Sequence, residues 1–324
     1  MLLYEYGLSD IMAPEPVIEM RKLTKYYGRS RGIIDVDLIV ERGEVFGFLG
    51  PNGAGKSTTI RTILDYIRPT SGFARVNGMD PQKEGAKVRR SVGYLPSDFE
   101  TYHGMTARKY LRTLLSMMEY RGRDRIEELA ERFQLDLDRK IKEFSRGNRQ
   151  KVGLVSAFMH YPLLVILDEP TTGLDPLMQQ EFYNLVHEEK EAGRTVFLSS
   201  HILAEVEAIC DRVGIIKEGR LIVVEAMRSF KEKTGKIMQV RFDREVDPSL
   251  FSSIRGVAHV EVPEPAELTI TVSGNIDAVI KELARHTVLE LDYEDMSLES
   301  LFLKYYEKEL PNRRKADAAG GAAA

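Results

Sequence analysis

The sequence predicts an α/β fold with a parallel sheet, followed by a smaller unit that also mixes strands and helices. A strand of the buried type leads into a glycine-rich loop and an amphipathic helix within residues 44–67. Residues 163–167 are apolar at every position, and residues 195–200 form a second strand of the buried type. Strands of this kind are typical of parallel sheets covered by helices on both faces. The 324 residues exceed the length of one typical domain, which leaves room for the smaller unit.

The composition is that of a soluble globular protein. Hydrophobic residues make up 43% and charged residues 30% of the chain. The formal net charge is −4, so the chain as a whole has no electrostatic reason to bind nucleic acid. Cys210 is the single cysteine, which excludes an internal disulfide and fits a reducing compartment. Its apolar, helix-like surroundings predict a place in the core.

The sequence offers no segment that would cross a membrane. The densest apolar run, residues 163–167, is far shorter than the roughly 20 residues that a bilayer requires. Residues 1–7 lack the basic start and the long apolar stretch of a secretory signal. If the protein acts at a membrane, we expect another polypeptide to supply the span.

Residues 50–57 carry the full G-x-x-x-x-G-K-S pattern of a phosphate-binding loop. In such a loop the backbone amides surround the β- and γ-phosphates of a nucleotide. Lys56 adds positive charge, and Ser57 offers a hydroxyl to Mg²⁺. A helix predicted over residues 56–67 directs its positive N-terminal dipole at the same phosphates. The predicted nucleotide-binding residues of the loop are Gly50, Asn52, Gly53, Ala54, Gly55, Lys56, Ser57 and Thr58.

Two acidic residues follow the apolar strand at residues 163–167. The carboxyl ends of such strands are where α/β sheets place ligands. Asp168 is predicted to hold Mg²⁺ directly or through water, and Glu169 to activate an attacking water as general base. The strand at residues 195–200 should end beside Asp168. His201 follows it and is predicted to contact the γ-phosphate.

The other elements of the larger unit follow from local patterns. Residues 17–37 predict two strands, and Tyr27 between them is placed to stack under an adenine ring. Further strands are predicted at residues 72–76 and 91–95. Apolar residues at helical spacing between 105 and 144 predict a helical insertion, and Ser145 caps another helix.

The predicted smaller unit begins after about residue 225. Its predicted strands cover residues 237–242, 258–262, 268–272 and 288–293, with helices over 277–286 and 298–310. We find no catalytic constellation in its sequence. We expect residues 1–16 to be a short leader and residues 311–324 to be a disordered tail.

Together these motifs resemble the ATP-binding cassette (ABC) family over roughly residues 17–230. The phosphate loop, the acidic strand end and His201 correspond to three of its motifs. Residues 144–150, Phe-Ser-Arg-Gly-Asn-Arg-Gln, are similar to the family's signature segment. Ser145 of this segment lies 23 residues before Asp168, as is typical of the family. Residues 173–175 resemble its D-loop, and Tyr27 matches its adenine-stacking aromatic residue.

The resemblance implies a P-loop NTPase cassette over residues 17–230, with a helical subdomain at about 100–160, and a small α+β accessory domain over 231–310. It implies an ATPase that uses ATP and Mg²⁺, with Lys56, Glu169 and His201 in catalysis. Ser145, Gly147 and Asp175 would contact nucleotide across a dimer of cassettes, because the family's catalytic site is composite.

The resemblance also implies the partners and the cellular location of the chain. These are a second cassette, identical or related, and separate transmembrane permease subunits, with the chain cytoplasmic on the inner face of the membrane. The C-terminal unit is similar to that of exporters for drugs, antibiotics or lipids. An importer subunit and a soluble cassette ATPase without a transport role are the alternatives.

Two departures from the family pattern stand out. Arg146 and Asn148 replace the usual Gly and Gln of the signature, whereas Ser145 and Gly147 are kept. Ser97 stands where the family usually has Gln. Because its hydroxyl is shorter by several bonds, we expect Ser97 to contact the metal only through water.

Overall fold

The computed structural model describes residues 15–99, 104–229, 236–273 and 276–295. The chain divides into two compact units between Ala226 and Met227. Most of the predicted leader, the predicted helix at 298–310 and the predicted tail lie outside the described residues. No helix in the described part of the chain is long and apolar enough to span a bilayer.

The larger unit contains nine described strands and seven described helices. The strands are β1 (Ile18–Tyr27), β2 (Ser30–Val40), β3 (Val45–Leu49), β4 (Ser71–Val76), β5 (Val92–Leu95), β6 (Leu164–Asp168), β7 (Thr195–Ser200), β8 (Arg212–Lys217) and β9 (Arg220–Ala226). The helices are α1 (Lys56–Ile63), α2 (Pro81–Ser91), α3 (Ala107–Met117), α4 (Ile126–Arg132), α5 (Arg146–Phe158), α6 (Pro176–Glu191) and α7 (Leu203–Ile209).

The central sheet has six strands in the order β5-β6-β7-β3-β8-β9. The first five are parallel, and only β9 runs antiparallel to its neighbour β8. Every residue of β3, β6 and β7 is buried, as expected for strands covered on both faces. The predicted parallel α/β sheet is confirmed. Its order places the carboxyl ends of β6, β7 and β3 side by side.

A second sheet of three antiparallel strands has the order β2-β1-β4. Its apolar side packs with α1 and the central sheet in one core, to which Ile33, Ile60 and Phe197 contribute. This packing brings β2 against the start of α1.

Helices α3, α4 and α5 form a helical insertion within residues 100–160, where the sequence predicts a helical subdomain. Thr106 caps α3 by accepting a hydrogen bond from Lys109 N, and Ser145 caps α5 by accepting one from Asn148 N. Their inward residues, which include Leu111, Leu129 and Val155, are fully buried. Each helix therefore buries the apolar stripe that its sequence spacing predicts.

In the described residues from 236 to 295, the smaller unit is an antiparallel sheet with two short helices. Its elements are β10 (Lys236–Phe242), α8 (Ser249–Ser252), β11 (Val257–Glu261), β12 (Glu267–Val272), α9 (Asp277–Leu283) and β13 (Val288–Asp295). The strand order is β11-β12-β10-β13. Alternate residues Met238, Val240 and Phe242 of β10 are buried in a core with Phe251 and Val279. The predicted α+β character is found.

Three local features differ from the sequence expectations. Helix α1 ends at Ile63 and not near residue 67. Two residues after Ile63, Asp65 adopts a left-handed φ of 56°, which cannot continue the helix. Helix α2 was not predicted, although Asp80 caps it and Pro81 occupies its first turn. The β8–β9 pair was not predicted either.

Candidate functional site

The phosphate loop joins β3 to α1 and has the backbone shape that its glycines permit. Gly53 and Gly55 have φ values of 77° and 114°, a region that favours glycine. Gly50 approaches β8 so closely that an added Cβ would lie 2.4 Å from the Ile216 carbonyl oxygen. Lys56, at the start of α1, is buried, and its Nζ donates to Gly50 O at 2.7 Å. The lysine therefore points back across the loop.

A cleft of about 260 Å³ opens over this loop. Its lining contains most of the residues predicted to bind nucleotide, together with Arg31 and Gly32 of β2. The lining residues are Tyr27, Arg31, Gly32, Asn52, Gly53, Gly55, Lys56, Ser57, Thr58, Ser97 and Glu169. The fold therefore brings the predicted aromatic residue, the phosphate loop, Ser97 and the predicted general base to one place.

Asp168 ends β6 and is completely buried. Its Oδ1 accepts a hydrogen bond from Ser199 Oγ at 2.5 Å, which orients the carboxylate from the neighbouring strand β7. Its Oδ2 is buried without a hydrogen-bond partner among the described residues. A buried carboxylate oxygen of this kind needs a cation or donor to offset its desolvation.

The carboxylate of Glu169 lies between the side chains of Lys56 and His201. Its Oε1 is 3.1 Å from Lys56 Nζ, and its Oε2 contacts Nδ1 of His201. The backbone of Glu169 has a left-handed φ of 56°, which is strained for a residue with a side chain. Ser199 holds it there, because Glu169 N donates to Ser199 O at 3.1 Å. The three residues predicted to be catalytic are therefore in contact.

A buried acidic residue lies behind His201. Glu205 of α7 is 2% exposed, and its Oε2 accepts a hydrogen bond from Ser200 Oγ at 2.5 Å. Burial raises the pKa of Glu205 to about 7, although hydrogen bonds from Ser200 and Thr171 lower it. The negative charge of Glu169 raises that pKa further. Glu205 thus titrates near neutral pH next to the site.

Five predicted nucleotide-binding residues do not line the cleft, and three of them lie outside the phosphate loop. Ser145 caps α5, and Asp175 caps α6 by accepting a hydrogen bond from Met178 N. Gly147 packs against the 173–175 segment, since an added Cβ would lie 2.5 Å from Gly173 O. Gly147 thus lies beside the segment that carries Asp175, and none of the three residues lines the cleft over the phosphate loop.

Gly50 and Ala54 support the phosphate loop without lining the cleft. The Gly50 carbonyl oxygen accepts from Lys56, and Gly50 N donates to Ser200 O at 3.2 Å. The Ala54 carbonyl oxygen accepts from Gly219 N at 2.8 Å. Both therefore fix the shape of the loop.

Sequence reasoning missed four residues of the site. Arg31 and Gly32 lie in the cleft only because β2 packs against α1, and no local pattern indicates this. Ser199 and Glu205 carried a weak signal: Ser199 directly follows the apolar run Val196–Leu198 of β7, and Glu205 lies between the apolar residues Ala204 and Val206 of α7.

The comparisons with known proteins identify the family to which this fold belongs. The ABC transporter family profile matches residues 33–172. The bacitracin transport ATP-binding protein BcrA of Bacillus licheniformis is 38% identical over 69% of this chain and 74% of its own length. The daunorubicin/doxorubicin resistance ATP-binding protein DrrA of Streptomyces peucetius is 32% identical over 94% of this chain and 97% of its own length.

A solved structure shows the same fold. The dimeric structure of MJ0796, a bacterial ABC transporter cassette, has a TM-score of 0.59 and 26% sequence identity. The alignment covers 65% of this chain and 99% of that one.

The fold and the site define a P-loop ATPase cassette. The chain belongs to the ABC transporter family, as an ATP-binding subunit that hydrolyses ATP. The family resemblance drawn from the sequence is confirmed. The two relatives are named for bacitracin transport and for daunorubicin/doxorubicin resistance, and the solved cassette is a dimer.

Proposed function

We propose that this chain hydrolyses ATP to power the export of a drug or an antibiotic. We further propose that Lys56, Glu169 and His201 are its catalytic residues. The observation that carries the proposal is the contact chain from Lys56 through Glu169 to His201 at the edge of the cleft. In this arrangement Lys56 neutralises charge that develops on the γ-phosphate. Glu169 takes a proton from the attacking water, and His201 holds the phosphate.

The residues present fit a Mg²⁺ ion. The buried, unpartnered Oδ2 of Asp168 is a hard oxygen of the type that Mg²⁺ prefers. Ser57 and Ser97 both line the adjoining cleft. We propose that Ser57 binds the ion directly and Asp168 directly or through water, with Ser97 reaching it through water. The ion would neutralise charge on the β- and γ-phosphates.

The remaining nucleotide contacts come from the second cassette. Ser145, Gly147 and Asp175 lie outside the cleft of their own chain, so we assign them to the nucleotide held by the partner's phosphate loop. Two cassettes related by a two-fold axis would then form two such sites. Tyr27 stacks against the adenine, and the residues of the phosphate loop bind the phosphates. ATP favours the closed pair through these added contacts, and hydrolysis releases it.

The chain works on the cytoplasmic side of the membrane in this proposal, where ATP is available. The loop that carries Ser97, together with the helical insertion of α3 to α5, receives a cytoplasmic segment of the permease. Closing and opening of the cassette pair then moves the permease.

The export proposal is tested by purifying the chain from gently solubilised membranes of its native cell and identifying the proteins that accompany it. We expect a multi-spanning membrane protein in near-equal amount. Deleting the gene for that protein should then raise sensitivity to at least one antibiotic. Recovery of soluble partners or ribosomes alone would contradict the export function while leaving the ATPase activity intact.

A further inference from the structure

Gln150 connects the signature-like segment, residues 144–150, to the backbone of the predicted general base. It lies in α5 and is 7% exposed. Its Nε2 donates to the carbonyl oxygen of Pro170 at 2.9 Å and to that of Glu169 at 3.3 Å. Both partners are acceptors only, so the amide nitrogen, and not its oxygen, must face them.

A second contact joins α5 to the same segment, residues 169–175. At Gly147 the helix approaches this segment so closely that an added Cβ would lie 2.5 Å from Gly173 O. Gln150 and Gly147 thus hold the two ends of the first turn of α5 against residues 169–175. Close packing of this kind transmits displacement, because interiors have little free volume.

The backbone of Glu169 is held from the opposite side by β7. Its amide nitrogen donates to the carbonyl oxygen of Ser199, and its φ of 56° needs such support. Gln150 holds the carbonyl oxygen of the same residue. The direction of the Glu169 side chain therefore depends on where α5 places Gln150.

We propose that Gln150 is a positioning residue that couples the signature-like segment to Glu169 of the same chain. The inference rests on the proposed function, in which residues 145–147 meet the nucleotide of the partner cassette. Glu169 acts on the nucleotide held by its own chain. Movement of α5 toward the partner's nucleotide would be passed through Gln150 to Glu169, so that the two sites of the dimer sense each other.

The first test replaces Gln150 with Met, which has a similar length but no donor. In steady-state ATPase assays Gln150→Met should lower kcat by about tenfold, the effect of losing one well-placed hydrogen bond. KM for ATP should change by less than about twofold, and the Hill coefficient for ATP should fall toward 1. Hydrogen–deuterium exchange of residues 169–175 should be faster than in the wild type. Gln150→Asn, whose amide is too short to reach, should behave in the same way if the Met variant does not fold.

Gln179→Met is the matched control. Gln179 is half-buried, and its Nε2 donates to Leu174 O at 3.2 Å in the same segment. We expect it to keep kcat and the Hill coefficient close to those of the wild type. An equal loss of kcat in Gln179→Met, or an unchanged Hill coefficient in Gln150→Met, would overturn this inference and leave the proposed function standing. A wild-type protein that does not hydrolyse ATP would overturn the proposed function as well.

Discussion

Lys56 Nζ and Glu169 Oε1 lie 3.1 Å apart, so the lysine predicted to bind phosphate is paired with the predicted general base. The same ammonium group donates to Gly50 O at 2.7 Å and to Pro51 O at 3.3 Å. Three acceptors match the three protons of a lysine ammonium. A phosphate that binds Lys56 must therefore replace one of them. Replacement of Glu169 would free that carboxylate to contact water.

Tyr27 is predicted to contribute to nucleotide affinity and not to the chemical step. Its ring lines the cleft and is 47% exposed, which leaves a face open for stacking. Tyr27→Ala should raise KM for ATP by about two- to tenfold with little change in kcat, whereas Tyr27→Phe should keep the wild-type value. Tyr26→Ala is the control, because Tyr26 is similarly exposed but does not line the cleft. Equal effects of the two alanine variants would contradict the stacking role.

Ser97 is predicted to limit how tightly the metal is held. It lines the cleft with Ser57, but its short side chain leaves the ion to be reached through water. Ser97→Gln places an amide oxygen there and should lower the Mg²⁺ concentration for half-maximal ATPase activity by about threefold. The measurement is a Mg²⁺ titration at saturating ATP. An unchanged titration and rate would show that position 97 is not limiting.

Glu205 is predicted to make the stability of the larger unit depend on pH. Its pKa is about 7 in the folded chain and ordinarily 4.5, so the folded state binds its proton more tightly than the unfolded state. The resulting stabilisation is complete below pH 4.5 and is lost as the pH rises through about 7. At 1.36 kcal/mol per pKa unit, the effect amounts to about 3 kcal/mol.

Glu205→Gln tests this directly, since the amide keeps an acceptor for Ser200 and carries no charge. The free energy of unfolding, measured by urea denaturation, should match the wild type at pH 4.5 and exceed it by up to about 3 kcal/mol at pH 8. Parallel curves for the two proteins over that pH range would contradict the assignment.

The sequence predicted the fold best where an element's local pattern alone determines its structure. The phosphate loop, β6 and β7 combine apolar strands with polar ends, and all three were placed correctly. Helix α2 was missed because its buried residues, Pro81, Gly85 and Val88, do not form an apolar stripe. The β8–β9 pair was missed because every residue of β9 is only half-buried.

Within the site, the residues of short linear motifs were predicted, and those supplied by packing were not. Arg31 and Gly32 enter the cleft through the contact of β2 with α1: a Cβ added at Gly32 would lie 3.0 Å from Thr58 Cγ2. Gln150 was visible as part of the signature-like segment, but its partners are residues 169 and 170 of another element. Such pairings depend on tertiary structure and leave no local signal.

The central claim is that Glu169 drives hydrolysis within a cassette pair that ATP holds closed. The most direct measurement is the ATPase rate of Glu169→Gln, together with its mass by light scattering with and without ATP. The account predicts a rate at least about 100-fold below the wild type and an ATP-dependent doubling of mass. Hydrolysis at the wild-type rate, or a monomer at saturating ATP, would contradict it.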